Sequence, residues 1–174
     1  MIFSLVGLPG SGKSTVGRQL ARRLALPFFD SDQVIEAQLG CSVRQYFEQE
    51  GEESFRDLEA RVIDDLTQNA RGVLSTGGGS VLRLENRRNL RQRGRVVYLS
   101  STPNELFRRL RHDRNRPLLL VADPLARLHE LYAVRDPLYR ETAHFVVETG
   151  RPSVPSIVNL IVMQLELAGV WPPV

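Results

Sequence analysis

The stretch Gly7-Leu8-Pro9-Gly10-Ser11-Gly12-Lys13-Ser14 decides how the rest of this chain must be read. It follows an apolar run, Ile2-Phe3-Ser4-Leu5-Val6, and leads into a segment whose apolar positions Val16, Leu20 and Leu24 recur at helical spacing. G-x-x-x-x-G-K-[ST] between a strand and a helix is the pattern of a phosphate-binding loop. Its glycines let successive backbone N–H groups turn inward on an anion, and the helix N-terminus adds partial positive charge. Lys13 suits the β- and γ-phosphates as a compact point charge, and the Ser14 hydroxyl suits Mg²⁺. Lys13 is also the only lysine among 23 basic residues. A composition otherwise committed to arginine implies that a planar guanidinium does not serve at this position. Gly10, Ser11, Gly12, Lys13, Ser14 and Thr15 are therefore expected to hold a nucleoside triphosphate whose γ-phosphate is transferred or hydrolysed.

Outward from the loop, apolar runs alternate with amphipathic segments of helical length, the pattern of a parallel sheet covered by helices on both faces. Strands are expected at 2–6, 27–30, 72–76, 95–99 and 144–148. Helices are expected at about 14–25, 33–39, 43–50, 52–69, 84–93, 103–111, 124–141 and 154–168. Ser42 and Gln45 have capping-box spacing, and Asp32 suits the cap of the segment that follows it. Phe55, Leu58, Val62 and Leu66 form a core stripe at helical spacing. Residues 112–123 and the tail from Trp171 to Val174 read as mobile.

With 174 residues, 42% of them hydrophobic, one domain over 1–174 is expected. No apolar run approaches the ~20 residues a membrane-spanning helix needs, so no membrane association is expected. The N-terminus lacks a signal-peptide pattern, which points to the cytoplasm. Cys41 is the only cysteine, so an internal disulfide is excluded. The formal charge is +3, with arginines interleaved among 20 acidic residues, which gives no footprint for nucleic acid. His112, His129 and His144 lack metal-ligand spacing and read as ordinary surface or strand residues.

Several clusters bear on what receives the phosphoryl group. Asp30-Ser31-Asp32 closes the second strand, at the carboxyl end of the sheet where ligands bind in open α/β folds. One of these acids suits the Mg²⁺ shell and the other a substrate hydroxyl, although helix capping explains Asp32 equally well. Arg56 and Glu59 lie i,i+3 on a helix, as a guanidinium locked by a carboxylate or as an ordinary surface ion pair, the commoner case. Leu74-Ser75-Thr76-Gly77-Gly78-Gly79 follows the third strand, where three glycines allow a backbone to come unusually close to another group. Arg116-Pro117-Leu118-Leu119 and Arg135-Asp136-Pro137-Leu138-Tyr139 bring further cations.

Together G-L-P-G-S-G-K-S, D-S-D, F-R-D-L-E, G-G-G, R-P-L-L and R-D-P-L-Y occur in the order and approximate spacing of shikimate kinases, which the chain resembles from about residue 2 to 165. The resemblance implies a P-loop, nucleoside-monophosphate-kinase-like fold: a three-layer α/β/α arrangement around a five-stranded parallel sheet of order 2-3-1-4-5. It implies a mobile lid at about 112–123 and a shikimate-binding helical region at about 31–60. The activity it implies is MgATP-dependent phosphorylation of the 3-hydroxyl of shikimate, a step towards aromatic amino acids, with ATP and shikimate as small-molecule partners and a monomer as the working form. By motif, Lys13 and Ser14 serve the phosphates and Mg²⁺, with Asp30 supporting the metal. Asp32 holds the ring hydroxyls as base or orienting group. Arg56 and Arg135 clamp the carboxylate, Glu59 positions Arg56, and Gly78 and Gly79 contact the acceptor. Arg116 reaches the ATP phosphates from the lid, and Arg109 and Arg151 face the adenine. Phe47 and Phe55 line the pocket, though core packing explains Phe55 nearly as well. The rival readings are another small-molecule P-loop kinase, acting on gluconate or a nucleoside monophosphate, and a regulator that only binds nucleotide.

Overall fold

The computed structural model describes residues 1–111, 121–150 and 152–172. Strand β1 (Ile2–Val6) is buried at every position. It lies at the centre of the sheet, paired in parallel with β3 (Gly72–Ser75) on one side and β4 (Gly94–Ser100) on the other. Adding β2 (Phe28–Asp30) and β5 (Phe145–Glu148) gives the order β2-β3-β1-β4-β5, as expected. A central parallel strand covered on both faces reads as a nearly continuous apolar run, interrupted in β1 only by the buried Ser4.

The two faces carry separate cores. Phe3, Leu5, Val73, Val97, Leu99 and Val147 point towards α1 (Lys13–Leu24) and α7 (Val154–Leu167). Ile2, Val6, Leu74, Val96 and Tyr98 point the opposite way. On that side lie α3 (Val43–Asn69), α4 (Leu84–Gln92), α5 (Pro103–Leu110) and α6 (Pro124–Thr142). The stripe Phe55, Leu58, Val62 and Leu66 is buried as anticipated. Helix α3 is broken at Gly51, where φ is 85°, so the expected helices 43–50 and 52–69 meet end to end. A Cβ is disfavoured at that backbone angle and glycine is not. Ser42 caps α3 by accepting from the Gln45 N–H at 3.1 Å, and Thr102 with Glu105 forms a full capping box on α5.

Local details differ from the sequence expectation in four places. Helix α2 (Ser31–Leu39) is capped by Asp30 and not by Asp32: Asp30 Oδ1 accepts the N–H groups of Asp32 at 3.0 Å and Gln33 at 3.3 Å. Strand β5 starts one residue late, because the ring of His144 takes part at the sheet edge. The ring Nδ1 accepts the Val96 N–H at 2.9 Å, while the backbone N–H of His144 donates to the Val96 carbonyl at 2.8 Å. Trp171, assigned to a mobile tail, packs edge-on against Phe3 with ring centroids 6.1 Å apart. A short 3-10 helix, Ser80–Leu82, joins the triple glycine to α4. Among the described residues no helix is long and apolar enough to cross a membrane.

Candidate active site

The phosphate loop turns at Gly10 and Gly12, both at positive φ, and Gly12 is the cap of α1. Lys13 is buried and folds back over the loop, its Nζ donating to the carbonyls of Gly7 at 2.7 Å and Leu8 at 3.0 Å. Ser14 Oγ donates to Asp30 Oδ2 at 3.0 Å and stands 3.4 Å from Ser75 Oγ. Asp30 is thus divided between two tasks, one oxygen capping α2 and the other facing Ser14. A hydroxyl and one carboxylate oxygen are hard donors that fit Mg²⁺, which takes one or two protein oxygens and completes its shell with water and phosphate. Ser11 differs from its loop neighbours: its N–H closes a turn on the Leu8 carbonyl and its side chain is buried.

An open cleft with a cavity volume of about 200 Å³ runs from Gly10, Lys13, Ser14 and Thr15 to Asp32 and Gly78. Gly77 and Gly78 form its far wall, and Gly79 continues that wall just beyond the cleft. None of the three adopts positive φ, so the run is needed for close approach and not for turning. A methyl group on Gly77 would fall 2.9 Å from Asp32 Oδ1 and 3.1 Å from Glu59 Oε2. On Gly78 it would meet Pro9 Cδ at 2.9 Å and Arg135 Nη1 at 3.4 Å. On Gly79 it would fall 2.6 Å from the guanidinium carbon of Arg56. The wall therefore gathers Asp32 from α2, Arg56 and Glu59 from α3 and Arg135 from α6 around one strip of bare backbone.

Arg56 and Glu59 are no surface pair. Their contact is 2.9 Å, and the side chains are only 11% and 1% exposed. The triple-glycine run packs over Glu59, so that a methyl group on Gly77 would fall 3.1 Å from its Oε2. Burial raises the Glu59 carboxyl, an effect the Arg56 guanidinium opposes and the neighbouring Asp32 reinforces. Glu59 Oε2 is buried without a hydrogen-bond partner among the described residues. Orphaned polar atoms of this kind are rare in folded proteins and mark places that await a ligand or water. Burial, with the nearby Asp30 carboxylate second, pushes Asp32 from its ordinary 3.8 up to about 6, against the pull of Lys13 and Arg56. Phe47 lies 5.6 Å from Phe55 between ring centroids, and Phe55 is 4% exposed and belongs to the core.

Arg109 sits at the other end of the loop, its Nη1 3.5 Å from the Gly10 carbonyl and its Nη2 bonded to the Thr149 carbonyl. Arg116, Arg151 and the lid residues 112–120 lie outside the described residues. Sequence reasoning gave no role to Ser31, whose buried Oγ accepts the Gly77 N–H at 3.1 Å. Nor did it give one to Tyr139, whose hydroxyl donates to the Gly78 carbonyl at 2.5 Å. A serine between two functional acids and a tyrosine four residues after a candidate arginine were the available signals.

A family model described as shikimate kinase matches residues 9–166. The shikimate kinase of Ralstonia nicotianae is 60% identical over 168 residues, covering 97% of this chain and 88% of the relative. That of Paracidovorax citrulli is 60% identical over 172 residues, covering 97% of this chain and 94% of the relative. Among solved structures, shikimate kinase from Acinetobacter baumannii in complex with shikimate aligns with a TM-score of 0.90 at 43% identity, over 98% of this chain and 94% of that one.

Proposed function

The chain belongs to the shikimate kinase family, and from that premise we propose that it transfers the γ-phosphoryl group of ATP to the 3-hydroxyl of shikimate, giving shikimate 3-phosphate and ADP. The observation that carries this reading is the arrangement around Gly77-Gly78-Gly79: Asp32, Pro9 of the phosphate loop and two arginines, one locked by a buried glutamate, all crowd the positions that Cβ atoms would take there. Shikimate is a small anionic polyol, so it needs cations for its carboxylate and a carboxylate for its hydroxyls.

Catalysis of this transfer rests on alignment and on stabilising charge as it spreads over the moving phosphoryl group. Gly10 to Thr15 hold the triphosphate through backbone N–H groups and the start of α1. Lys13 exchanges its bonds to the Gly7 and Leu8 carbonyls for the β- and γ-phosphates. Ser14 and Asp30 hold Mg²⁺, which when bound neutralises phosphate charge. Asp32 accepts a hydrogen bond from the acceptor hydroxyl, orients it, and takes its proton as the new P–O bond forms and the bond to the ADP oxygen breaks. Arg56 and Arg135 grip the carboxylate, with Glu59 fixing the Arg56 fork for bidentate contact. Gly78 and Gly79 leave room for the ring. Arg109 and Arg151 serve the adenine, and Arg116 serves the phosphates from a lid at about 112–123. One domain over 1–174, a monomeric working form and a cytoplasmic site of action complete the reading.

ADP release with MgATP across shikimate, quinate and gluconate tests it. Turnover stimulated by shikimate above the other acids is expected. Stimulation by gluconate alone, or nucleotide binding without acceptor-dependent turnover, would favour the rival readings.

A further inference from the structure

Tyr139 is fully buried on α6, and its hydroxyl is the one side-chain group hydrogen-bonded to the glycine wall from that helix among the described residues. It stands one helical turn after Arg135, so the two side chains lie on the same face. The Arg135 guanidinium beside the phenol partly offsets the rise that burial imposes on the hydroxyl's pKa. The ring of Tyr139 packs on that of Tyr98 at a centroid separation of 4.9 Å. Between Arg135 and Tyr139 lies Pro137, inside the helix. A proline has no N–H to return to the carbonyl four residues earlier, so this turn of α6 lacks one of its own backbone ties. The turn that carries Arg135 is therefore weak in the helix ladder and is held from outside it.

We propose that Tyr139 is a positioning residue for the acceptor. By donating to the Gly78 carbonyl it fixes the distance between the glycine wall and the turn of α6 that carries Arg135, and so sets the carboxylate clamp relative to the wall against which the acceptor ring lies. The residue touches neither substrate nor phosphate. This role rests on the shikimate reading given above and adds to it a residue that acts through Gly78 and Arg135.

Tyr139→Phe removes the hydroxyl and keeps the ring. Steady-state kinetics on the full chain are expected to show KM for shikimate raised about five- to twentyfold, with KM for ATP within twofold of the parent. A purely structural tyrosine would lower the melting temperature and leave the two KM values in their original ratio, and that result overturns the proposal. A variant carrying 4-aminophenylalanine at position 139 restores an N–H donor at the same place and is expected to recover most of the shikimate KM; no recovery also counts against the proposal. Should Tyr139→Phe fold poorly, the 4-aminophenylalanine variant still decides, read by the upward shift in melting temperature that shikimate and MgADP each produce. Shikimate-stimulated turnover of the parent chain is measured alongside: its absence defeats the functional reading, whereas normal turnover with an unchanged Tyr139→Phe variant defeats this inference alone.

Discussion

Arg56 lies so close to Gly79 that a methyl group on the glycine would fall 2.6 Å from the guanidinium carbon. The wall and the clamp are therefore one device, in which bare backbone admits a guanidinium that any side chain would displace. Gly79→Ala is expected to push Arg56 away from its bidentate position. Losing a charged hydrogen bond of roughly 1.5–3 kcal/mol corresponds to an increase in KM for shikimate of about tenfold or more. ATP binding is expected to change little, because the three atoms nearest that methyl all belong to Arg56 and none to the phosphate loop. Steady-state kinetics with each substrate varied in turn check this, and an equal loss for both would place the methyl's effect on the phosphate loop instead. Gly78→Ala meets Pro9 of that loop as well as Arg135, so it is expected to impair both substrates.

Asp32 carries a pH prediction whose sign follows from its raised pKa. With the native carboxyl at about 6 against an ordinary 3.8, the folded chain holds more protons than the unfolded chain between those values, and stability falls as pH rises through that window. The ionised form costs about 3 kcal/mol at most, at 1.36 kcal/mol per pKa unit. Asp32→Asn removes that cost, so the variant is expected to melt above the parent at pH 7.5 and to converge with it near pH 4. Activity is expected to respond in the opposite sense, because the role proposed for Asp32, orienting the acceptor hydroxyl, requires the ionised carboxylate. The parent kcat/KM for shikimate is expected to rise with pH up to about 6 and then level, while Asp32→Asn is nearly inactive throughout. Thermal melts and pH–rate profiles test both halves, and a variant destabilised equally at every pH would show that Asp32 is a structural acid.

Different parts of this arrangement were legible in the sequence to different degrees, for physical reasons. Strand, loop and helix around Lys13 were legible because each is specified locally, by an apolar run, glycines and a 3.6-residue period. The sheet order came from resemblance and not from periodicity, since strand adjacency is a long-range property. Asp30 and Asp32 were interchangeable as caps on paper; the extended backbone at Asp30, φ −115°, settles the matter, because a cap must lie outside the helix that it closes. Glu59 was readable either as a lock for Arg56 or as half of a surface ion pair, because charge predicts exposure until something covers it, and its cover comes from Gly77, 18 positions later in the chain. The bond from Tyr139 to Gly78 was invisible for the same reason, being a contact across 61 positions.

Lys13→Arg tests whether the single lysine is there for its shape. Its ammonium fits between the carbonyls of Gly7 and Leu8, in a loop where a methyl group on Gly7 would fall 2.7 Å from the Leu99 carbonyl. A planar fork is larger and less able to shift between carbonyls and phosphates. Turnover is expected to fall at least a hundredfold with circular dichroism unchanged, since loss of aligned charge at a phosphoryl group costs about 3 kcal/mol or more of transition-state stabilisation. Near-normal turnover would make the lone lysine an accident of composition.

Glu59 supplies the strongest stability prediction. Removing one partner of a buried ion pair leaves an uncompensated charge, and typically costs about 3–5 kcal/mol. Glu59→Ala leaves Arg56, whose side chain is only 11% exposed, with just the more exposed Glu52 carboxylate 3.5 Å from its Nε, so a loss towards the lower end of that range is expected. The variant is expected to lose several kcal/mol in urea unfolding and to bind shikimate weakly, because the freed guanidinium no longer presents a fixed fork. Arg56→Ala strands Glu59 in turn, and its carboxyl, already raised by burial, loses the guanidinium that opposes that rise, so it is expected to hold a proton more readily than in the parent and soften the loss. The double variant removes both charges, so its destabilisation is expected to be smaller than the sum of the two single losses by 1 kcal/mol or more, the range found for residues in contact. Strict additivity in that cycle would mean that Arg56 and Glu59 act independently, and the carboxylate clamp would then have to be built without its buried lock.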